Sequence, residues 1–299
     1  MKKTICLILS LVSFCFLFAQ QDDNTPIRPP LTAPWEIVEV NEFHGVIPYP
    51  KIRQSDVMWW VYIWREIDLR EKRNHALYFP TEPQGVHRSL GQVILDAIDM
   101  DNPENEDALP VYTDEHCNVL VPRDQIKNVL SNLRTIPIFD PDTGEYIKDE
   151  EINEPLTIAQ IMYYRLKEIW FFDKLRSELV VRILSIEPFF EYNRDGGPGA
   201  SDDDVTSLKT RRRLGYIKYD ELRPYLAQQL YYTPKNLAFQ VTFDDAITWK
   251  RYFSSYIIAE SNPYNREIQE FIKNPRDQRL ESERILNQIR NFESELWEF

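Results

Sequence analysis

The chain has 299 residues, with 35 Lys and Arg against 48 Asp and Glu and a net charge of −13. A chain this acidic is repelled by nucleic acid and by anionic lipid headgroups, so neither is expected as a partner. Eight glycines against 16 Phe, 16 Tyr and 7 Trp exclude a disordered, low-complexity chain.

The chain opens Met1-Lys2-Lys3, followed by an uncharged run from Thr4 to Phe18. A basic start and a short apolar run read as a signal peptide over residues 1–19. The run is too short for a membrane span, which needs ~20 residues. Ala19 is the expected residue before cleavage; Gln20 is a second candidate, because Leu17 is larger than the small residue usual two positions earlier. Phe14 precedes Cys15 where lipid attachment needs a small residue, so an exported protein without its own lipid is expected. Removal of the leader takes Cys6 and Cys15 and leaves Cys117 as the only thiol. No internal disulfide can then form.

Residues 20–53 carry Pro26, Pro29, Pro30, Pro34, Pro48 and Pro50, which predicts an extended arm with few backbone pairs. Trp35, Ile37, Val38, Val40 and Phe43 make it too apolar for a pure spacer, and Trp35 and Phe43 are candidate partner contacts. With Ser55 as N-cap, a helix is predicted over 55–73, its buried face Val57, Trp60, Val61, Trp64 and Ile67. Glu66 with Arg70 and Asp68 with Lys72 would pair on its exposed side. A strand over 76–79, a helix over 90–98, a strand over 109–112 and a helix over 125–133 capped by Asp124 complete a first unit, residues 54–150.

The second unit, residues 151–262, begins with a predicted helix over 158–174 and an apolar strand over 179–186. A polar loop over 192–207, a strand over 215–219, a helix over 220–230 and a strand over 237–241 follow. A helix opening at Thr242 would bury Ala246, Trp249, Phe253, Tyr256 and Ile257. Asn262-Pro263 and Asn274-Pro275 each read as an N-cap with proline at the first helical position. Residues 263–299 form a helical C-terminal segment, its last helix over 276–297. Ile285, Ile289, Phe292 and Leu296 make one stripe on that helix. A partner or the protein's own core must cover it, since an isolated helix is marginal in water.

The halves invite comparison. Arg65, Glu66, Ile67 and Lys72 line up with Lys167, Glu168, Ile169 and Lys174, and Leu90-Gly91 with Leu214-Gly215. Tyr112, Thr113, Val121 and Asp124 line up with Tyr232, Thr233, Val241 and Asp244 at the same internal spacing. Chance and duplication both produce such matches. Duplication implies an α+β fold of two related helix-strand-helix-strand-helix repeats followed by the helical C-terminal segment.

Chemistry-bearing motifs are few. His44, His75, His87 and His116 never fall three or four apart, so no helix offers a two-His metal face. Asp99, Asp101, Asn105 and Asp107 alternate like calcium ligands, but Pro103, Glu104 and Pro110 occupy positions such a loop needs for other residues. Gly196-Gly197-Pro198-Gly199 is followed by Asp202-Asp203-Asp204, which repels phosphate. No catalytic residue, cofactor or metal is predicted. A rival reading is an exported glycan-binding or glycan-active protein, with Trp59, Trp60 and Trp64 as a sugar platform and surface carboxylates as its chemistry. Lys209, Arg211, Arg212 and Arg213 form a basic cluster, either a solvated strand end or a dock for an acidic patch.

Four longer stretches carry a resemblance. They are Gln54 to Lys72, with Trp59-Trp60 and the run from Trp64 to Lys72; Tyr164 to Pro188, with Glu168, the run from Trp170 to Lys174, and Arg182; Phe253 to Ile257, with Glu260-Ser261-Asn262 and Tyr264; and Leu280 to Ile285, ending near Leu296-Trp297. In this order they resemble the gliding-motility GldN (PorN) family of the type IX secretion system. The resemblance implies a non-catalytic periplasmic protein that self-associates in a ring near the outer membrane. It implies two partners: a lipoprotein of the GldK/PorK type, which carries the lipid, and the periplasmic part of a GldM/PorM-type protein. The family opens the strand after the polar loop with aromatic residues, whereas this chain reads Leu214-Gly215-Tyr216. A contact through that pair is not carried over. The arm at 21–53 matches the family poorly.

Overall fold

The computed structural model describes residues 45–82, 87–99, 108–139, 146–193, 209–232, 241–264 and 266–297, with the side chains at 131–155, 192–193, 209 and 296–297 outside that description. The expected signal peptide, the arm up to residue 44 with Trp35 and Phe43, and most of the polar loop also lie outside it.

The first elements are β1 (Val57–Asp68), α1 (His75–Tyr78), α2 (Leu90–Ile98), α3 (Arg123–Leu130), β2 (Ser131–Phe139), β3 (Tyr146–Pro155), β4 (Ile161–Asp173) and β5 (Glu178–Asn193). There follow β6 (Lys209–Arg213), β7 (Ile217–Lys218), α4 (Tyr219–Gln228), β8 (Leu230–Tyr231), β9 (Val241–Thr242), a π-helical turn (Asp245–Trp249), β10 (Tyr256–Glu260), α5 (Ile268–Phe271) and α6 (Pro275–Trp297). The fold is α+β. Its centre is an antiparallel sheet in the order β10-β1-β4-β5-β6, with β7 also pairing with β5. β1 thus lies between β4 and β10, so both halves of the chain build one sheet. β2 and β3 form a separate two-stranded ribbon.

Two predicted helices are strands. Residues 57–68 form β1 and 161–173 form β4, and they pair with each other from Val57–Asp173 to Asp68–Tyr163. Val, Ile, Trp, Tyr and Phe dominate both, and such side chains suit a pleated surface better than a helix. Because large side chains stand on both faces, an i, i+3, i+4 pattern can be picked out of a period of two. Other expectations also shift. Residues 75–78 are a helical turn, not a strand. The strand over 109–112 reduces to isolated bridges from Tyr112 to Leu120 and Tyr216. The helix from Thr242 ends at Trp249, and Tyr256 and Ile257 belong to β10. Arg251 has a positive φ of 49°, and Asn74 grips Ser254 through both backbone groups at 2.7 and 2.9 Å. Asn262 closes a turn, accepting from the Tyr264 and Arg266 N–H groups, and caps no helix. Of the residues matched as a candidate repeat, Arg65–Ile67 and Lys167–Ile169 both lie on strands, β1 and β4, whereas Leu90-Gly91 open α2 and Leu214-Gly215 lie between β6 and β7.

Two predicted helices, over 90–98 and 276–297, fall where expected, while the helix expected over 125–133 with Asp124 as cap spans Arg123–Leu130 and residues 131–133 open β2. α2 opens with a capping box, Ser89 and Gln92 exchanging side-chain and backbone bonds at 2.9 and 3.3 Å. α6 starts at Pro275, with Asn274 Oδ1 accepting from the Arg276 N–H at 3.2 Å.

The helices cover one face of the sheet in two clusters. The larger joins Ile67, Tyr164, Leu166, Ile183, Ile186 and Phe190 of the strands to α2, α4 and the π-helical turn. The smaller seats α6 through Ile285 and Ile289 on Ile63, Trp170 and Ile257, with the Phe292 ring 5.2 Å from Trp59. α6 also protects the sheet's edge, since Ser282 Oγ accepts from the Ile257 N–H of β10 at 2.7 Å. On this face Glu168 is fully buried. It takes Arg251 Nη2 at 2.6 Å and Trp170 Nε1 at 2.7 Å, with Arg65 Nη1 4.0 Å away.

Candidate functional site

Side chains alternate between the faces of a strand. Trp59, Val61 and Ile63 of β1 turn to the helices, so Trp60, Tyr62, Trp64, Glu66 and Asp68 take the opposite face. Cross-strand pairing then places Tyr256 beside Glu66, Glu66 beside Arg165, and Arg165 beside Glu187. The result is a charged row across β10, β1, β4 and β5.

Glu66 is buried at the centre of this row. Tyr256 donates its O–H to Oε1, Arg211 Nη1 lies 3.4 Å from the same oxygen, and Arg165 Nη2 lies 3.7 Å from Oε2. Burial, and then the Glu66 charge, push the Tyr256 phenol far above its ordinary range. The Arg211 guanidinium stacks 3.9 Å from the Tyr163 ring centre. Lys167 Nζ pairs with Glu115 at 2.7 Å and lies over the Tyr62 and Trp64 rings at 5.1 and 5.6 Å. Trp64 Nε1 donates to the same Glu115 oxygen at 3.0 Å.

Glu115 belongs to the segment 108–122, which is tied down by paired backbone bonds of 2.8 Å between Tyr112 and Tyr216. Gly215, with φ at 136°, makes that approach feasible. A Cβ there would meet Val111 Cγ1 at 2.5 Å and the Tyr112 carbonyl oxygen at 2.9 Å. Cys117 is buried in this segment, and burial raises its thiol pKa.

Glu187 is 2% exposed. Arg213 Nη1 lies 3.7 Å away, and among the described residues neither carboxylate oxygen accepts a hydrogen bond. Burial pushes its carboxyl up to about 7, against the pull of Arg165 and Arg213.

At the far end of the same face lies a groove of about 610 Å³, lined in part by Tyr49, Trp60, Tyr62, Phe171, Arg182 and Leu184. Trp60 is 54% exposed. Arg182 sits over Tyr49 and Phe171 and donates to the Pro50 carbonyl at 2.7 Å. Arg223 donates to the Ile47 carbonyl at 2.6 Å, pairs with Asp244 at 2.8 Å, and lies 4.4 Å from the Tyr49 ring centre. Burial raises the Tyr49 phenol to about 12. Residues 45–53, expected to be part of a loosely held arm, are therefore anchored on the core.

The predicted site residues separate. Arg211 and Arg213 face Glu66 and Glu187, and Arg212 donates to the Val129 carbonyl at 3.1 Å. These three are engaged within the protein. Lys209 lies on β6 and Leu296 on α6, with side chains outside the described residues. Ile285 and Ile289 are buried, and Phe292 packs on Trp59, so this part of the stripe is the helix's own packing face. Trp59, Trp60 and Trp64 make no common platform. Trp59 is on the helix side, and on the other face Trp60 meets Tyr62 edge-on at 74°.

Arg165, Glu187 and Glu115 were not singled out from sequence; Lys167 entered only through the comparison of the two halves and Arg182 only among the residues of the resemblance. The available signal was the alternation of charge on one side of aromatic strands, Arg165-x-Lys167 on β4 and Glu66-x-Asp68 on β1, with Arg165 opposite Glu66, which is legible only once these segments are strands. Among the described residues, no group of three or more His, Cys, Asp or Glu side chains is placed to hold a metal ion. No described helix is long and apolar enough to cross a membrane.

The model of the family described as gliding motility associated protein GldN matches residues 52–298. No curated protein matches the chain.

Proposed function

Because the chain belongs to the gliding motility associated protein GldN family, we propose that it is a non-catalytic structural subunit of the type IX secretion and gliding machinery. It works in the periplasm, self-associates in a ring, and is held at the outer membrane by a lipoprotein partner of the GldK/PorK type. The periplasmic part of a GldM/PorM-type protein is its second partner. The family match over most of the chain carries this reading.

The packing of the sheet supports a structural role. Glu66 and Glu168 at the centre of the sheet, and Glu115 packed over it, are each engaged with arginine or lysine. The exposed Trp60 beside the groove offers an anchor of the kind enriched at interfaces. The test is extraction of the protein from its native envelope in mild detergent, at native level, with mass analysis of what accompanies it. Co-purification of a lipoprotein in a large particle is expected. A free monomer throughout would overturn the proposal.

A further inference from the structure

The row of charges across the sheet contains one cation with a choice. Arg165 is the direct cross-strand neighbour of Glu66 on one side and of Glu187 on the other. Its Nη1 donates to Glu267 Oε1 at 2.9 Å, in the segment leading into α5. Its Nε is buried and has no acceptor among the described residues. Glu66 does not depend on Arg165, because Tyr256 and Arg211 already serve it. Glu187 is buried beside Arg165, and among the described residues both its oxygens are unbonded.

We propose that Arg165 is a two-position latch: it holds Glu267 while Glu187 is protonated, and turns to Glu187 when that carboxyl loses its proton, loosening the segment before α5. Direct cross-strand neighbours lie ~5 Å apart at Cβ, so a change of rotamer suffices for the guanidinium to move between them. An ionised buried carboxylate must find donors.

The groups facing Glu187 are Arg165 and Lys167 of β4, Arg213 of β6, Tyr216 beyond it, Glu115 of the segment 108–122, and Glu267. The two acids favour its neutral form. Lys167 is already committed to Glu115 at 2.7 Å. Arg213 is the competing donor, 3.7 Å away, with a side chain 57% exposed. Its hydration weakens its pull and leaves Arg165 as the buried donor with an unspent N–H. Burial holds the Glu187 carboxyl near neutrality, at about 7, so the switch operates where modest changes in acidity act.

The test is hydrogen exchange of residues 261–272 in the full chain at pH 5.5 and 8.5, corrected for intrinsic exchange. Protection in the wild type should fall about two- to fivefold at the higher pH, the scale of one partly exposed ion pair. Glu187→Gln, which mimics the protonated acid, should keep the protected state at both pH values. Arg213→Gln should retain the transition. The proposal is overturned by a wild type without the transition, by Glu187→Gln retaining it or losing protection at both pH values, or by Arg213→Gln abolishing it.

Discussion

Replacing Glu168 with glutamine changes one charge at the centre of the sheet and almost nothing in volume. The carboxylate is 0% exposed and accepts from Arg251 at 2.6 Å and Trp170 at 2.7 Å, with Arg65 4.0 Å away. The amide oxygen can still accept one of these bonds, but its NH₂ group would face a donor at the other. Arg251 and Arg65 would keep their charges without a counter-charge. Breaking a buried pair by removing one partner costs about 3–5 kcal/mol. The Arg251 and Arg65 side chains are only partly buried, and solvent relieves some of that penalty, so about 2–3 kcal/mol is expected. Urea unfolding followed by far-UV circular dichroism measures it, as a lower midpoint at unchanged slope. A loss below about 0.5 kcal/mol would show that the cluster is solvated and that the ion pairing contributes little.

Glu187→Gln should change how stability depends on pH. The carboxyl rises from an ordinary 4.5 to about 7 on folding. The folded state therefore binds the extra proton, and wild-type stability falls as pH rises from about 4.5 to 7, then levels. The variant should lack that slope and be more stable above pH 8 by up to about 3 kcal/mol, measured by urea unfolding at several pH values. Ile289→Ala should cost about 2–5 kcal/mol, because Ile289 is buried between α6 and the sheet. Ile289→Asp with Phe292→Asp should accordingly unfold the monomer, and a native circular dichroism spectrum would contradict this packing. Tyr49→Ala should lower the melting temperature by several degrees, since the ring lies between Arg182 and Arg223 and closes residues 45–53 onto the core. An unchanged melting temperature would return that segment to the status of a loose arm.

What could be read from the sequence was what is locally encoded. The Asn274-Pro275 start is complete within a few residues, and α6 lies where that signal places it; the helix over 90–98 is likewise found as α2. β1 and β4 carry a helix-like pattern for a definite reason. Their aromatic and β-branched residues occupy both faces, so the apolar-polar alternation that identifies a half-buried strand is missing, and their lengths of 12 and 13 residues suit a helix. The basic cluster at 209–213 was visible as composition. Its acidic partners Glu66 and Glu187 are supplied by distant strands, and no local spacing points to them. Asn74 holding Ser254 and Glu168 holding Arg251 are equally non-local.

The ambiguity that concealed these strands poses a problem for the folded chain as well. A strand with one greasy face and one wet face has its register set by hydrophobicity, because a slip of one residue exposes the whole apolar set. β4 carries Tyr164, Leu166 and Trp170 on one face and Tyr163, Ile169 and Phe171 on the other, so a slip would exchange one large apolar set for another at reduced cost. The charges do not exchange. A one-residue slip would carry Glu168 away from Arg251 and Arg65, take Lys167 from Glu115, and set Arg165 among the apolar side chains of the helical face. Each misplacement strands a buried charge, and one unpaired buried ion costs more than the apolar contacts can recover. The buried pairs are therefore register pins for long strands whose hydrophobic pattern cannot choose an alignment. On this argument Glu168→Leu, which fills the site with apolar volume, should lose unique alignment before it loses compactness. The expected signs are broadened amide resonances from β4 and β5 at nearly unchanged far-UV circular dichroism. A single sharp set of resonances matching the wild type would show that the strands find their register without the charges.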